Sequence, residues 1–137
     1  MSNQLSLNLE SSLDALNQIE QAVTEFGAEH EWPEDLLFHV QLTLDELATN
    51  VISHGYGESG HSFQITVKSE PEAVHIELID DARPFDPLQD SPQPAIDAGV
   101  HERKVGGLGV YIVKELMDEM EYRRENGKNC LTLVKKR

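Results

Sequence analysis

Residues 106–109, with the sequence GGLG, form the glycine-rich segment whose surroundings best suit phosphate binding, since they open a predicted helix after an aperiodic stretch. Backbone N–H groups and the positive end of the helix dipole attract phosphate at such a position. The alternative is a flexible hinge that leads into the helix. The segment GYGESG at 55–60 matches a dinucleotide-binding fingerprint by its letters, but it leaves a helix and enters a strand, so we interpret it as a turn.

Asp80 and Asp81 end a predicted strand, IELID, where the aperiodic stretch begins. A carboxylate at the buried end of a strand can accept a hydrogen bond from a ligand amine. An acidic pair after a strand is also typical of a solvated turn. The residues alone leave both interpretations open.

Glu46, Asn50 and His54 stand four residues apart in LTLDELATNVISHGY, residues 42–56, and therefore line one side of a predicted amphipathic helix. A carboxylate, an amide and an imidazole beside a core-facing stripe are either binding groups or the solvated edge of the helix. For His54 a partner of the negative helix C-terminus is a further interpretation.

The elements that must position these residues follow from the periodicity of the first 80 residues. The patterns predict, in order, a strand at 3–9, a helix capped by Ser11 or Ser12, a helix from Pro33 to about His54 that stops at Gly55, and a hairpin of strands at 62–70 and 72–80.

The second half of the chain begins with residues 82–106, which hold four of the six prolines and show no periodicity. A connection of this length is usually functional or disordered. A helix with apolar positions from Val110 to Met120 follows, and a hairpin that turns at Asn126-Gly127 closes the chain. The order of elements predicts an α+β fold, a two-layer sandwich with helices on one face of a mixed, mostly antiparallel sheet.

The composition restricts the function classes. The net charge of −14 argues against nucleic acid or an anionic membrane as the main partner. Cys130 is the single cysteine, so no internal disulfide can form, which fits a reducing compartment. The sequence shows no signal peptide and no membrane-spanning stretch, so we expect a cytoplasmic location.

Taken in order, these segments resemble the ATP-binding domain shared by gyrase, the heat-shock chaperone, MutL and the histidine kinases, the GHKL superfamily. More narrowly, the chain is similar to the anti-sigma-factor serine kinases of bacterial partner-switching systems. The likeness covers nearly the whole chain, so it implies that residues 1–137 form a single ATP-binding domain with a Bergerat-type fold.

The family's E-x-x-x-N motif matches Glu46 and Asn50, with His54-Gly55-Tyr56 following. In that family the Asn oxygen binds the Mg²⁺ that bridges the triphosphate, and the Glu is the general base. Both roles suit the physics, because Mg²⁺ prefers a few hard oxygen ligands and a carboxylate one turn earlier can accept the proton of a nucleophile.

The family's first glycine motif, D-x-G-x-G, corresponds to residues 80–84, so the resemblance implies that Asp80 accepts the adenine amino group. Both glycines are replaced here, by Ala82 and Pro84. We expect this difference from the family to affect the loop geometry and the rate of nucleotide exchange more than the recognition of adenine. The family also places a hydroxyl from a late strand near adenine, and the nearest positions here are Cys130 and Thr132.

The second glycine motif, G-x-G, matches residues 107–109, so the residues between about 84 and 106 become the lid over the phosphates. Two lid residues, Arg103 and Lys104, are candidate phosphate contacts, with solvated charges as the alternative. The resemblance therefore implies these nucleotide-binding residues: His54, Asp80, Ala82, Arg103, Lys104, Gly107, Leu108 and Gly109.

Two functions are compatible with this fold. The first is an ATP- and Mg²⁺-dependent protein serine kinase that phosphorylates a small STAS-type antagonist and sequesters a sigma factor or similar regulator; the resemblance also allows a homodimer. The second is a non-catalytic module in which nucleotide only shapes a surface for a regulatory partner. Retention of Glu46 favours the kinase, since a pure binding protein does not need a general base.

Overall fold

The computed structural model describes residues 3–56, 61–84, 86 and 107–137, with the backbone alone for 54–56 and 107–108. The elements are β1 (Gln4–Glu10), α1 (Asp14–Glu29), α2 (Glu34–Asn50), a π-helical segment (Val51–Tyr56), β2 (Ser62–Ser69), β3 (Ala73–Asp80), α3 (Gly107–Leu116), β4 (Glu119–Glu125) and β5 (Lys128–Lys136). Their order confirms the order predicted from the sequence.

The five strands form one sheet with the order β1-β2-β3-β5-β4. The predicted α+β class is confirmed, but all four pairings between the described strands are antiparallel, so the expectation of a mixed sheet is wrong. The reason lies in the last hairpin. The chain enters that hairpin through the edge strand β4, and β5 then runs back beside β3 in the opposite direction.

The core lies between one face of this sheet and the helices. Along β3, Val74, Ile76 and Leu78 are buried in the core, and Asp80 continues the same face because strand residues two apart point the same way. Val40 and Leu44 of α2 belong to the same core cluster and are fully buried. The helix-facing side of the sheet therefore ends, at β3, in a buried carboxylate.

The start of α1 differs from the prediction, because neither Ser11 nor Ser12 caps the helix and Leu13 occupies the N-cap position. Ser11 is buried, its N–H donates to the His61 carbonyl at 2.8 Å, and its hydroxyl accepts from the His61 N–H at 3.1 Å. The hydroxyl expected to cap α1 instead joins the end of β1 to the start of β2.

The second helix begins as predicted next to Pro33, which is the N-cap residue of α2. Its other end differs from the prediction, because the α-helix ends at Asn50 and the chain continues as a π-helical segment through Gly55. Val51 and Ile52 remain buried against the core in this wider turn. Single π-helical turns often occur at functional sites.

The third helix ends earlier than predicted, because Met120 lies in β4 opposite Leu133. The Asp118 N–H already donates to the Val134 carbonyl at 2.9 Å, so the backbone has joined the sheet before Met120. The predicted hairpin turn is confirmed, with positive φ angles of 52° at Asn126 and 75° at Gly127. Both central residues of a type I′ turn require such angles.

No helix in the described part of the chain is long and apolar enough to cross a lipid bilayer.

Candidate functional site

The last turn of α2 carries two polar side chains beside the core, Glu46 and Asn50. Asn50 is 7% exposed, and its amide forms no hydrogen bond within the described part of the chain. Glu46 is half-buried one turn earlier, also without a hydrogen-bond partner among the described residues. An amide buried this far without a protein partner is available to a ligand, and its oxygen is a hard donor that suits Mg²⁺.

Gly109 brings the second glycine motif into contact with the first of these side chains. It is buried in the first turn of α3, and a Cβ built on it would lie 2.9 Å from Cδ of Glu46 and overlap Oε2. A side chain at this position therefore forces the carboxylate to move. Two motifs more than 60 residues apart in the sequence thus meet, and only glycine allows this approach.

The environment of Glu46 also favours its protonated form. Burial raises the pKa of the Glu46 carboxyl above its ordinary value, and the negative charge of Asp45 raises it further. A general base works best when its pKa lies close to the working pH, and a raised pKa moves a carboxylate in that direction.

Asp80, at the end of β3, is 6% exposed. Its Oδ1 accepts two hydrogen bonds, from the Ala82 N–H at 3.0 Å and from Nδ2 of Asn129 at 2.9 Å. The bond to Ala82 is the local bond of an Asx turn. Oδ2 accepts no hydrogen bond within the described residues, so one oxygen of this carboxylate is free for a ligand donor.

The residues after Asp80 are tied to the final hairpin. Nη1 of Arg124 donates to the Ala82 carbonyl at 2.8 Å, and Nδ2 of Asn129 donates to the Arg83 carbonyl at 2.9 Å. Ala82 is buried and does not adopt the left-handed backbone region, so a side chain fits where the family has glycine. These contacts fix residues 80–83 against β4 and β5.

Asn129 and Arg124 were missed by the sequence reasoning. Asn129 pairs directly with Asp80 across β3 and β5, whereas Cys130 and Thr132 pair with Ile79 and Glu77 on the opposite face of the sheet. The register thus places neither of the two late-strand candidates beside Asp80. The alternation of buried Leu131 and Leu133 is a sequence signal that could have assigned position 129 to the core face.

Several predicted site residues lie outside the part of the chain that the structure describes. They include Arg103, Lys104 and the rest of the predicted lid, of which only Pro84 and Asp86 are described. The side chains of His54 and Leu108 also lie outside the described part. The backbone of Gly107 is the first residue of α3. Among the described residues, no group of three or more His, Cys, Asp or Glu side chains is arranged to hold a metal ion.

Asp80 gives a prediction about stability and pH. Burial raises its carboxyl pKa, and the bonds from Asn129 and Ala82 only partly oppose this. Stability from the protonated form is therefore fully present below the ordinary Asp pKa and is lost as pH rises through the raised pKa. We expect Asp80→Asn to raise the melting temperature near neutral pH without nucleotide, since its amide oxygen can accept both hydrogen bonds.

The gain should shrink as the pH falls through the raised pKa of Asp80 and should be lost once the pH is below the ordinary pKa of an aspartate. Thermal unfolding followed by circular dichroism across this range measures it, with Asp81→Asn for comparison, which removes only the smallest contribution to the raised pKa of Asp80 and should have a smaller effect. A lower melting temperature for Asp80→Asn at neutral pH would show that burial does not dominate at this carboxylate.

The profile of the histidine kinase-like ATPase domain matches residues 9–135. The chain belongs to this family. The fold of this ATPase domain resembles that of the RsbU and RsbW domains of Rv1364c from Mycobacterium tuberculosis, with a TM-score of 0.65 and 16% sequence identity; the match covers 98% of this chain and 33% of that one. It also resembles the catalytic domain of the histidine kinase ThkA, with a TM-score of 0.53 and 13% identity, over 96% of this chain and 97% of that one.

Curated relatives of this ATPase domain come from several bacteria. The serine/threonine-protein kinase BtrW of Bordetella bronchiseptica is 26% identical over 96% of this chain and 89% of its own length. An anti-sigma F factor of Thermoanaerobacter sp. is 24% identical, over 98% and 93%. The serine-protein kinase RsbW of Halalkalibacterium halodurans is 28% identical over 64% and 56%. The family thus supports an ATPase-type nucleotide site, and relatives are named as kinases and anti-sigma factors.

Proposed function

We propose that this chain is a protein serine kinase of the anti-sigma-factor type, which binds ATP with Mg²⁺ and phosphorylates a small STAS-type antagonist protein. The observation that carries the proposal is the contact between Glu46 and Gly109, because it sets a carboxylate with a raised pKa at the N-terminal turn of α3. That turn is where backbone N–H groups attract phosphate. A carboxylate held there is placed to act on a nucleophile.

The described side chains fit the nucleotide and the metal. Within the described residues, Asp80 has a carboxylate oxygen without a hydrogen-bond donor, the Asn50 amide forms no hydrogen bond, and Gly109 leaves space beside Glu46. In this proposal Asp80 holds adenine, Asn50 holds Mg²⁺, and residues 107–109 hold the phosphates. The lid at about 84–106, with Arg103 and Lys104, and His54 complete the proposed nucleotide site.

The chemistry divides between the ligand and the chain. When bound, ATP supplies the phosphoryl group and Mg²⁺ neutralises its charge. In this proposal Glu46 would accept the proton of the acceptor serine hydroxyl while the serine oxygen bonds to the γ-phosphorus, the bond from that phosphorus to the β–γ bridging oxygen breaks, and ADP leaves. Asp80 and Asn50 position the two ends of the nucleotide, and positioning of this kind supplies most of the catalysis in phosphoryl transfer.

The proposed partners are the antagonist and the sigma factor or similar regulator that the kinase sequesters. Support comes from the names of the relatives, which include anti-sigma F factors and serine kinases. The second candidate function is a non-catalytic module that captures a regulator in a nucleotide-dependent way. It would bind ATP and partner without transferring phosphate, so parallel assays of binding and of phosphate on the acceptor separate the two functions.

Adenine selectivity is the first expected property of the site. Asp80 can accept a hydrogen bond from the adenine amino group. Guanine has a carbonyl at that position, so the carbonyl oxygen and the Asp80 carboxylate oxygen are both acceptors and form no hydrogen bond. An unmade hydrogen bond of this kind costs about 1–3 kcal/mol. Calorimetry with Mg²⁺ should therefore show tighter binding of ATP or ADP than of GTP. Equal affinities for adenine and guanine nucleotides would remove Asp80 from the proposed site.

Metal dependence is the second expected property. Wild-type protein should bind ATP more tightly with Mg²⁺ than with a chelator, and Asn50→Ala should lose most of that difference. A residue that merely supports a metal ligand is typically worth about 10–100-fold in metal affinity, so losing the ligand should cost at least about tenfold. Thr49→Ala, next to it on α2, is the matched control. Unchanged Mg²⁺ dependence in Asn50→Ala would rule out Asn50 as the ligand.

A further inference from the structure

Asn129 is held in one orientation by groups on three sides. It is 5% exposed, its Nδ2 donates to Oδ1 of Asp80 and to the Arg83 carbonyl, and its Oδ1 accepts from the Tyr122 hydroxyl. A flipped amide would turn its oxygen toward three other acceptors: the Asp80 carboxylate and the carbonyls of Ala82 and Arg83. The network therefore fixes which end of the Asn129 amide faces Asp80.

The same network fixes Asp80. Oδ1 is bound by two donors, from Asn129 and from the Ala82 backbone, and Oδ2 is left without a protein donor in the described residues. A small rotation of the carboxylate about its Cβ–Cγ bond would break both hydrogen bonds to Oδ1. Only a half-turn restores them, because it puts the other oxygen in the same place. One oxygen of the carboxylate is therefore held by the two donors, and the other has no hydrogen-bond donor among the described residues.

We propose that Asn129 is a positioning residue for purine recognition, which locks Asp80 so that only a ligand with a donor at the purine 6-position is accepted. The inference rests on the proposed function, since it refines how the nucleotide is selected at Asp80. Tyr122 contributes by setting the direction of the Asn129 amide.

The lock makes a prediction that a simple carboxylate contact does not make. In Asp80→Asn, the Ala82 N–H and the Asn129 amide both require an acceptor at the place of Oδ1, so the new amide must put its oxygen there. Its NH₂ group then replaces Oδ2 and offers a donor to the ligand. A donor suits the 6-keto group of inosine triphosphate, and it opposes the amino group of ATP.

The experiment measures affinities for ATP and inosine triphosphate by calorimetry with Mg²⁺, for the wild type and for Asn129→Ala, Tyr122→Phe, Asp80→Asn and the double variant Asp80→Asn/Asn129→Ala. The wild type should prefer ATP. Asn129→Ala should lower this preference by less than the about 5- to 150-fold expected for loss of the ligand hydrogen bond itself, because Asn129 acts through Asp80, and Tyr122→Phe should lower it less still. Asp80→Asn should shift the preference toward inosine triphosphate, and the double variant should show little preference.

Thr132→Val is the matched control, because it lies on the same strand but on the opposite face of the sheet. A residue with a purely structural role would change melting temperature and both affinities together, whereas the ratio of affinities reports on the lock. If Asn129→Ala does not fold, Tyr122→Phe still tests the proposal, because it keeps Asn129 but removes the hydroxyl that orients its amide.

The outcomes separate the two levels of the proposal. Adenine preference that persists unchanged in both Asn129→Ala and Tyr122→Phe overturns the lock and leaves the proposed function standing. Failure of Asp80→Asn to shift the ratio toward inosine triphosphate also overturns the lock. A wild type that binds neither nucleotide overturns the proposed function and the lock with it.

Discussion

Glu46→Gln is expected to slow phosphate transfer to the acceptor by about 10²–10⁴-fold, the range typical of a lost general base. Nucleotide affinity should hardly change, because Asp80, Asn50 and the N-terminal turn of α3 still hold ATP. Glutamine has almost the same shape as glutamate and can keep the contact with Gly109, so the change removes the base and not the packing. Single-turnover transfer and calorimetric ATP binding are the two readouts.

The pH profile provides a second readout for the same residue. Burial and the charge of Asp45 raise the pKa of Glu46, and a general base must be deprotonated to act. The wild-type rate should therefore fall on acidification at a pH above the ordinary glutamate range, and Glu46→Gln should lack this limb. Transfer by Glu46→Gln at the wild-type rate would show that another group accepts the proton.

Gly109→Ala is expected to reduce transfer by about 10²-fold, because a misplacement of roughly 1 Å in a catalytic group has an effect of this size. A Cβ at position 109 would stand 2.9 Å from Cδ of Glu46 and overlap Oε2, so the carboxylate must swing away from the N-terminal turn of α3. The side chain of Glu46 is flexible, so the fold should survive with little loss of stability. The measured quantity is the transfer rate at saturating ATP.

A double-variant cycle identifies the cause. If Gly109→Ala acts by displacing Glu46, it should slow transfer much less in the Glu46→Gln background, where the base is already absent. Gly27→Ala is a control for glycine replacement in a helix, since its Cβ would meet Leu37 and Trp32 and not the site. Additive effects of Gly109→Ala and Glu46→Gln would mean that position 109 acts on the phosphates alone.

Local patterns predicted much of this molecule. The Asn126-Gly127 turn, the period-two strands β2 and β3 and the helical spacing of α2 all depend on neighbours in sequence, and each is present. The sequence singled out Glu46 and Gly109 as members of two separate short motifs but did not predict that they meet, and their contact is a finding of the structure.

Long-range pairing was beyond the sequence reasoning. The partner of Asp80 depends on the register between β3 and β5, which are separated in the sequence by residues 81–127. The role of Ser11 depends likewise on His61, which is 50 residues away, and helix-cap rules consider only near neighbours. Both the Asn129–Asp80 pair and the role of Ser11 were missed because each of these side chains binds a partner that is distant in sequence and that only tertiary packing brings near.

The replaced glycines of the first motif illustrate the same point. Ala82 needs no left-handed backbone angle, and its carbonyl accepts from Arg124. A segment that is flexible when it carries glycines is here held by β4 and β5. Because these contacts hold residues 80–83 in place, we expect slow exchange of the proposed nucleotide.

Phosphate transfer to the antagonist is the most direct test of the central claim that this site is a kinase. Purified wild-type protein is incubated with Mg²⁺, labelled ATP and candidate antagonist proteins from neighbouring genes, and the acceptor is analysed by mass spectrometry. The expected result is one phosphoserine on an antagonist, which Glu46→Gln forms at least about 10²-fold more slowly. If the wild type binds both ATP and the antagonist yet leaves it unphosphorylated, the chain is a nucleotide-dependent binding module and the kinase proposal is wrong.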